Sequence, residues 1–266
     1  GIPVQTKDWE WSSTFTIAFN DNKIVKLSDP EKGFNYSEML TGGVGENGLM
    51  GVNTQKIVEG QSVGTFYGYK WTGQLTKSGN LVYEKWTAED FAAGLCEEKE
   101  VGKDKLQVIG RAQPIFTYGW NNTIRWRDLD LTFFFRGNVG NDILNVKRWA
   151  YAPQKSQGLN VFMKDVYALA NGNGVYRQGK LSDYYLEDGS FLKLDNITLG
   201  YTFRFKDNDY IQSIRLHATA ENVFTITKYS GIDPEVNTSD VWNPGIDATG
   251  FYPSVCNVLV GVNLTL

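Results

Sequence analysis

The chain has 266 residues, 41% hydrophobic, 21% charged and 14% aromatic, with a formal net charge of −4. That length allows one large domain or two small ones, and the acidic balance excludes the basic footprint of a nucleic-acid binder. No run approaches the roughly 18 apolar residues of a membrane-spanning helix, so helical spans are excluded too.

In chain order, the first strand alternates Trp9, Trp11, Phe15, Ile17 and Phe19 with Glu10, Ser12, Thr14 and Thr16. This is the period-two signature of a strand with unlike faces. Asn20-Asp21-Asn22-Lys23 is expected to turn tightly, because Asn and Asp tolerate left-handed backbone, with Ile24–Leu27 beginning a return strand. A long connection, about 28–113, carries charge and glycine, including Gly42-Gly43-Val44-Gly45. Strand-like pieces such as Gly64–Tyr69 and a helical turn near Thr87–Gly94 are expected within it. No Lys-Ser/Thr follows those glycines, which argues against a phosphate loop.

The third strand points Phe116, Tyr118, Trp120, Ile124 and Trp126 one way and Thr117, Gly119, Asn121 and Thr123 the other; Asn122 is a misfit on the apolar side. A corner at Arg127-Asp128 leads into Leu129, Leu131, Phe133 and Phe135, alternating with Asp130, Thr132 and Arg136, and Phe134 breaks the polar side. After a second long connection, about 137–190, the fifth strand sets Ile197, Leu199, Tyr201, Phe203 and Phe205 against Asn196, Thr198, Gly200 and Thr202. Lys193 and Asp195 are expected above its apolar band on the same side. A charged turn at 206–210 precedes a sixth strand with Ile214, Leu216, Ala218 and Ala220 opposite Arg215, His217, Thr219 and Glu221. A third connection, about 228–253, leads to the last strand, where Val258, Val260, Val262, Leu264 and Leu266 share one face and Leu259 is out of pattern. Cys96 falls in a loop and Cys256 at the last strand, so spare thiols are expected rather than a disulfide.

Strands of this kind, with short turns on one side, long loops on the other and aromatic ends, are those of an outer-membrane β-barrel. Orientation follows: short turns face the periplasm, and the C-terminus at Leu266 is expected there. Ile197 to Phe205 measures about 27 Å along the strand at ~3.3 Å per residue, or about 20 Å high at a ~40° tilt, close to the ~25 Å apolar band. Seven strands are odd, whereas bacterial single-chain barrels are even and have at least eight. An open sheet would leave edge groups unmet in lipid at several kcal/mol each. The fold class is therefore all-β, the C-terminal part of a transmembrane antiparallel barrel. Export then requires either a removed signal or an internal fragment.

Ordered motifs sharpen this reading. They are Val58–Tyr69, Pro114–Asn121, Asp130–Gly137 with Gly140–Ile143, Leu186–Tyr201 and Glu221–Val236. Together the chain resembles the C-terminal barrel region of SusC/RagA-type TonB-dependent transporters, the glycan and peptide importers of Bacteroidetes outer membranes. The resemblance implies a barrel of about 22 strands around an N-terminal plug, the plug and early strands lying outside this chain. It also implies a SusD-like surface lipoprotein as lid, coupling to the TonB complex through the plug, an oligosaccharide or peptide substrate, and outer-membrane lipid around the wall. The segment between Lys77 and Lys105 lacks the acidic spacing of the calcium loop that relatives often carry there. No metal, cofactor or catalytic residue is expected. Leu266 replaces the terminal aromatic usual in the barrel-assembly signal, which the last strand is expected to supply.

Candidate contacts with substrate or lid are Trp149, Tyr151, Tyr167 and Tyr176, against the plainer reading that loop aromatics pack their own loops. Arg136, Arg215, His217 and Glu221 are expected to face the lumen. Asp183, Glu187 and Asp188 suggest a glycosidase pair, but solvated loop charge is the favoured reading. The competing architecture is a soluble all-β glycan-binding or glycan-hydrolysing protein, which requires Trp9, Trp120 and Phe203 inside a core.

Overall fold

A computed structural model describes residues 1–46, 50–75, 79–84, 92, 106–153, 161–172, 174–176, 180–205, 210–236 and 242–266. The expected helical turn at 87–94 and Cys96 lie outside those residues, apart from position 92.

The strands run β1 (Val4–Gln5), β2 (Trp9–Phe19), β3 (Glu38–Val44), β4 (Val52–Val58), β5 (Thr65–Gly68), β6 (Trp71–Leu75), β7 (Leu81–Tyr83) and β8 (Gln107–Arg111). They continue with β9 (Phe116–Trp126), β10 (Leu129–Val139), β11 (Asp142–Asn145), β12 (Leu186–Asp188), β13 (Phe191–Arg204), β14 (Ser213–Thr227), β15 (Ile246–Asp247) and β16 (Asn257–Thr265). Short helices occupy Val146–Ala150 and Met163–Ala170.

Seven of these strands form one antiparallel wall in the order β1-β2-β9-β10-β13-β14-β16. Its alternation is that of the sequence. One row across the wall is Trp9, Trp126, Leu129, Tyr201, Leu216 and Val262, all on the apolar face. The eleven residues of β2 rise about 33 Å at ~3.3 Å each, or about 25 Å at a ~40° tilt, enough to cross the apolar band of an outer membrane. Aromatic rings mark both margins. Trp9 stacks on Trp126 at 5.6 Å at one end, and Phe19 meets Phe116 at 5.6 Å at the other. No described segment packs over this face: Phe15 is 62% exposed, Phe19 71% and Val260 80%.

The expected hairpin at Asn20–Lys23 is not formed. Asn22 Oδ1 accepts from Val63 N–H, Ile24 N–H donates to Gln61, and Gly60 N–H donates to Ile24. This segment is therefore drawn into the long connection, and the first strand pairs with β1 and β9 instead. The tight reversal lies at residues 6–8, where Thr6 N–H donates to Trp9 O at 2.7 Å and Trp9 N–H returns to the Thr6 hydroxyl at 3.0 Å. The strand count of seven survives, but β2 runs opposite to its expected direction. Residues 6–8 and 127–128 then lie at one margin with the β13–β14 reversal, whose residues 206–209 are outside the described set. At the opposite margin the long connections join β2 to β9, β10 to β13 and β14 to β16.

A second correction comes from a bulge. Register shifts between Leu194 and Asn196, so that Leu194 faces Phe135 and Phe224 while Asn196 faces Phe134 and Glu221. Asn222 on the partner strand takes a positive φ of 51°. Side chains above the bulge change sides. Lys193 consequently sits on the polar face, in register with Arg136, rather than on the apolar side.

The three long connections pack into a shared cap. Its core takes Val44, Phe66, Leu81, Tyr83 and Ala112 from the first, Leu144, Val146, Trp149, Leu181 and Tyr185 from the second, and Ile246 from the third. Sheets β3-β4-β5-β8, β12-β11-β15 and β6-β7 frame it. β11 and β15 pair in parallel across loops, as Leu144↔Ile246 and Asn145↔Asp247.

Candidate functional site

Polar residues of the wall face form stacked rungs. Nearest the short turns, Arg204 reaches Asp128 at 2.7 Å and Arg127 lies 3.4 Å from Asp8. Next come Glu10 and Arg125 at 3.7 Å, then Arg215, which grips both oxygens of Asp130 at 2.9 and 2.5 Å. The two Arg215 contacts lie over Gly200, whose missing Cβ leaves room for them. His217 lies over Gly261, where a Cβ would stand 2.4 Å from its ring, and its enclosed Nδ1 meets no partner among the described residues. A hydroxyl rung follows: Thr123 and Thr132 at 3.4 Å, Thr198 and Thr219 at 2.8 Å. Glu221 is half-buried between Asn196 and Asn257 in register. Phe134, the break in the polar pattern, covers the bare backbone of Gly119.

The uppermost rung is the densest. Arg136 donates through Nε to Asp195 at 2.6 Å and through Nη1 and Nη2 to the two oxygens of Glu235. Lys193, almost wholly buried, donates to the same Glu235 at 2.5 Å. Glu235 comes from the third loop. Its position is set by Asp233, which accepts from the N–H groups of Glu235 and Ser254 at 2.9 Å each. Burial pushes the Asp233 carboxyl up, but those N–H groups outweigh it and hold it below the ordinary range.

All four predicted polar-face residues, Arg136, Arg215, His217 and Glu221, thus fall on one face. They do not form one site: Arg136 belongs to the rung beneath the cap and Arg215 to the short-turn margin.

Loop residues separate more sharply. Trp149 has no ring face to offer a solute or a lid. It is fully buried, stacked on Tyr185 at 5.6 Å, and its role is packing the cap. Tyr151 is partly exposed and packs edge-on against Phe162 at 5.6 Å, at the start of the helix carrying Tyr167. Tyr167 is 65% exposed. Tyr176 is half-buried and bonds through its N–H to Gly79 O at 2.9 Å, in the first loop.

Of the carboxylates expected to be solvated, Asp188 is exposed, while Asp183 and Glu187 are half-buried acceptors. Asp183 receives Trp71 N–H at 2.7 Å, and burial raises its pKa. Asp188 receives Ser190 N–H at 2.9 Å, and that residue's donors lower its pKa. Glu187 is a hub, accepting from Asn145 Nδ2 at 3.1 Å, Ser230 N at 2.7 Å and Arg148 Nη1 at 3.4 Å. Nearby, buried Asp247 accepts from Lys147 at 2.9 Å and the Tyr229 hydroxyl at 2.6 Å. Burial, then the Asp247 carboxylate, drives the Tyr229 pKa up. These bonds tie the second loop to the third.

Sequence reasoning assigned no role to Lys193, Asp195, Glu235 or Asp247. The consecutive polar pair Asp195-Asn196 interrupts the alternation and is the available signal of the bulge. Asn122 has an account as well. Fully buried on the apolar face, it accepts from Trp11 Nε1 at 3.1 Å, and Trp120 Nε1 donates to neighbouring Ser13 at 2.9 Å. Two indoles thus roof the polar pair.

No protein-family model matches the chain. Among curated proteins it is similar to TonB-dependent receptor P3 of Formosa agariphila, 28% identical over 98% of this chain and 27% of that protein. It is also similar to TonB-dependent receptor SusC of Bacteroides thetaiotaomicron, 30% identical over 98% of this chain and 25% of that protein. The chain thus resembles the C-terminal barrel region of SusC-type TonB-dependent receptors. Among solved structures, the RagAB peptide importer in its closed-closed state superposes with a TM-score of 0.73 at 22% identity, over 99% of this chain and 28% of that one. Its open-open state gives 0.71 at 21% identity, over 100% and 28%. The chain spans about a quarter of the length of these relatives, and its wall is accordingly part of a larger barrel.

Proposed function

We propose that the chain forms part of the barrel wall and extracellular rim of a TonB-dependent nutrient importer in a bacterial outer membrane. In this reading the polar face lines the passage, the apolar face meets lipid, and Leu266 lies at the periplasmic side. The imported solute is an oligosaccharide or a peptide. A SusD-like lipoprotein closes over the rim, and the plug that engages TonB belongs to the remaining length. The observation that carries the reading is the wall itself, apolar and uncovered on one face and ordered into polar rungs on the other. A soluble sandwich demands a protein core around Trp9, Trp120 and Phe203, and these residues are exposed.

Two experiments test it. In cells producing the full-length receptor without native cysteines, a membrane-impermeant maleimide should label a cysteine placed at Tyr167 from outside. One placed at Asp128 should react only after the membrane is opened; the reverse pattern overturns the orientation. Uptake of fluorescent oligosaccharides and peptides, with and without the receptor, tests the importer reading, which fails if neither class depends on it.

A further inference from the structure

Two cations and two carboxylates meet beneath the cap, but they differ in origin. Arg136, Lys193 and Asp195 are built into the wall, on β10 and at the β13 bulge. Glu235 arrives from the third loop, 99 residues beyond Arg136. The guanidinium fork takes both Glu235 oxygens, the planar geometry with which arginine recognises a carboxylate. Lys193 adds a third donor at 2.5 Å. Without Glu235 the wall would hold one carboxylate against two cations. Beside this rung lies a cavity of about 350 Å³, walled by Arg136, Asn138, Thr16, Thr117 and the Phe134 ring over the Gly119 floor. An arginine already bonded to a carboxylate thus borders a space with hydroxyl, amide and aromatic groups.

We infer that Arg136 and Lys193 form a carboxylate-binding site in the passage, and that Glu235 occupies it as an internal stand-in for the acidic group of a solute. The solute's carboxylate takes the Arg136 fork, its body enters the adjacent cavity, and Glu235 withdraws with its loop. The inference rests on the importer reading, in which this face lines the passage. A uronic-acid oligosaccharide and a peptide C-terminus carry the same group, and the rung recognises the group rather than the source. A tethered competitor acts at an effective concentration on the order of millimolar. Its removal should therefore strengthen binding of a weak carboxylate ligand about ten-fold.

The test uses the full-length receptor in detergent, wild type and Glu235→Gln, titrated calorimetrically with four probes. These are trigalacturonic acid, neutral maltotriose, and a tripeptide with a free or an amidated C-terminus. Glu235→Gln should bind one or both carboxylate probes about ten-fold tighter than wild type, leave their neutral counterparts unchanged, and lose the gain when Arg136→Gln is added. The probe that gains identifies the source. No gain, or an equal gain for acidic and neutral probes, overturns the site. Should Glu235→Gln not assemble, hydrogen exchange of wild-type residues 228–236 decides instead: carboxylate probes at saturation should speed it, and unchanged exchange overturns the site. These outcomes are independent of uptake, so a normal importer with an unresponsive rung refutes this inference alone.

Discussion

Wall and cap solve opposite burial problems with the same residue types. In the wall, large apolar side chains such as Phe15, Phe19 and Val260 project from the sheet and are mostly exposed. In the cap, Phe66, Trp149 and Tyr185 are fully enclosed by segments from three loops. Exposed apolar area on this scale marks a surface meant for another phase, while the enclosed cluster is an ordinary water-excluding core. The contrast extends to charge. Wall ion pairs lie along the polar face, between neighbouring strands as for Glu10 and Arg125 or across one intervening strand as for Asp130 and Arg215, whereas cap carboxylates such as Glu187 and Asp247 join distant loops. Stability of the cap should therefore respond to cavities, and that of the wall to its lipid contact.

The largest effect should come from Trp149→Ala. Emptying a fully buried site should destabilise the cap by about 3–5 kcal/mol, seen as faster proteolysis of the loops. The wall, assayed by heat-modifiable migration on gels, should persist; joint collapse of both would dissolve the comparison. Ile197→Arg, in the middle of the apolar band, should cost the wall about 2–4 kcal/mol in bilayer folding titrations and leave the loops resistant once folded. Gly137→Ala is a finer probe of the wall. Its Cβ would stand 2.1 Å from the Phe191 carbonyl oxygen and 2.5 Å from the Tyr118 hydroxyl, so about 1–3 kcal/mol of overpacking is expected in the same titration.

Acid should act on the cap-to-wall junction through Asp233. Its native pKa is lowered, so its stabilising contribution is complete above the unfolded value of about 4 and is lost as pH falls through the lower native one. Hydrogen exchange at residues 231–236 should rise on that descent in wild type, and Asp233→Asn should abolish the added pH dependence. Smallest of all, Tyr167→Ala should alter stability by no more than about 0.5 kcal/mol in thermal unfolding, since its ring is exposed. A larger loss would mean that this helix is part of the core.

What was legible in the sequence follows the same division. Alternation is local, so β9, β10, β13, β14 and β16 and their faces could be read directly. The Asn20–Lys23 turn misled because its residues suit a hairpin equally well as an Asn side-chain acceptor for a distant amide, and Val63 N–H decided the matter. Lys193 went to the wrong face because a bulge, not the pattern itself, sets its side. In the cap, the burial of Trp149 and the partners of Glu187 depend on contacts between loops far apart in the chain. No window along the sequence carries that information.

The shared core of the cap has a consequence for biogenesis. Ala112, Leu144 and Ile246 meet in it, yet each leaves the wall through a different pair of strands. Contacts of such long sequence separation form late, and this core can close only when all three strand pairs stand in register. Protease resistance of the cap would then act as a completion signal: a chain with one slipped strand would keep its loops open to digestion.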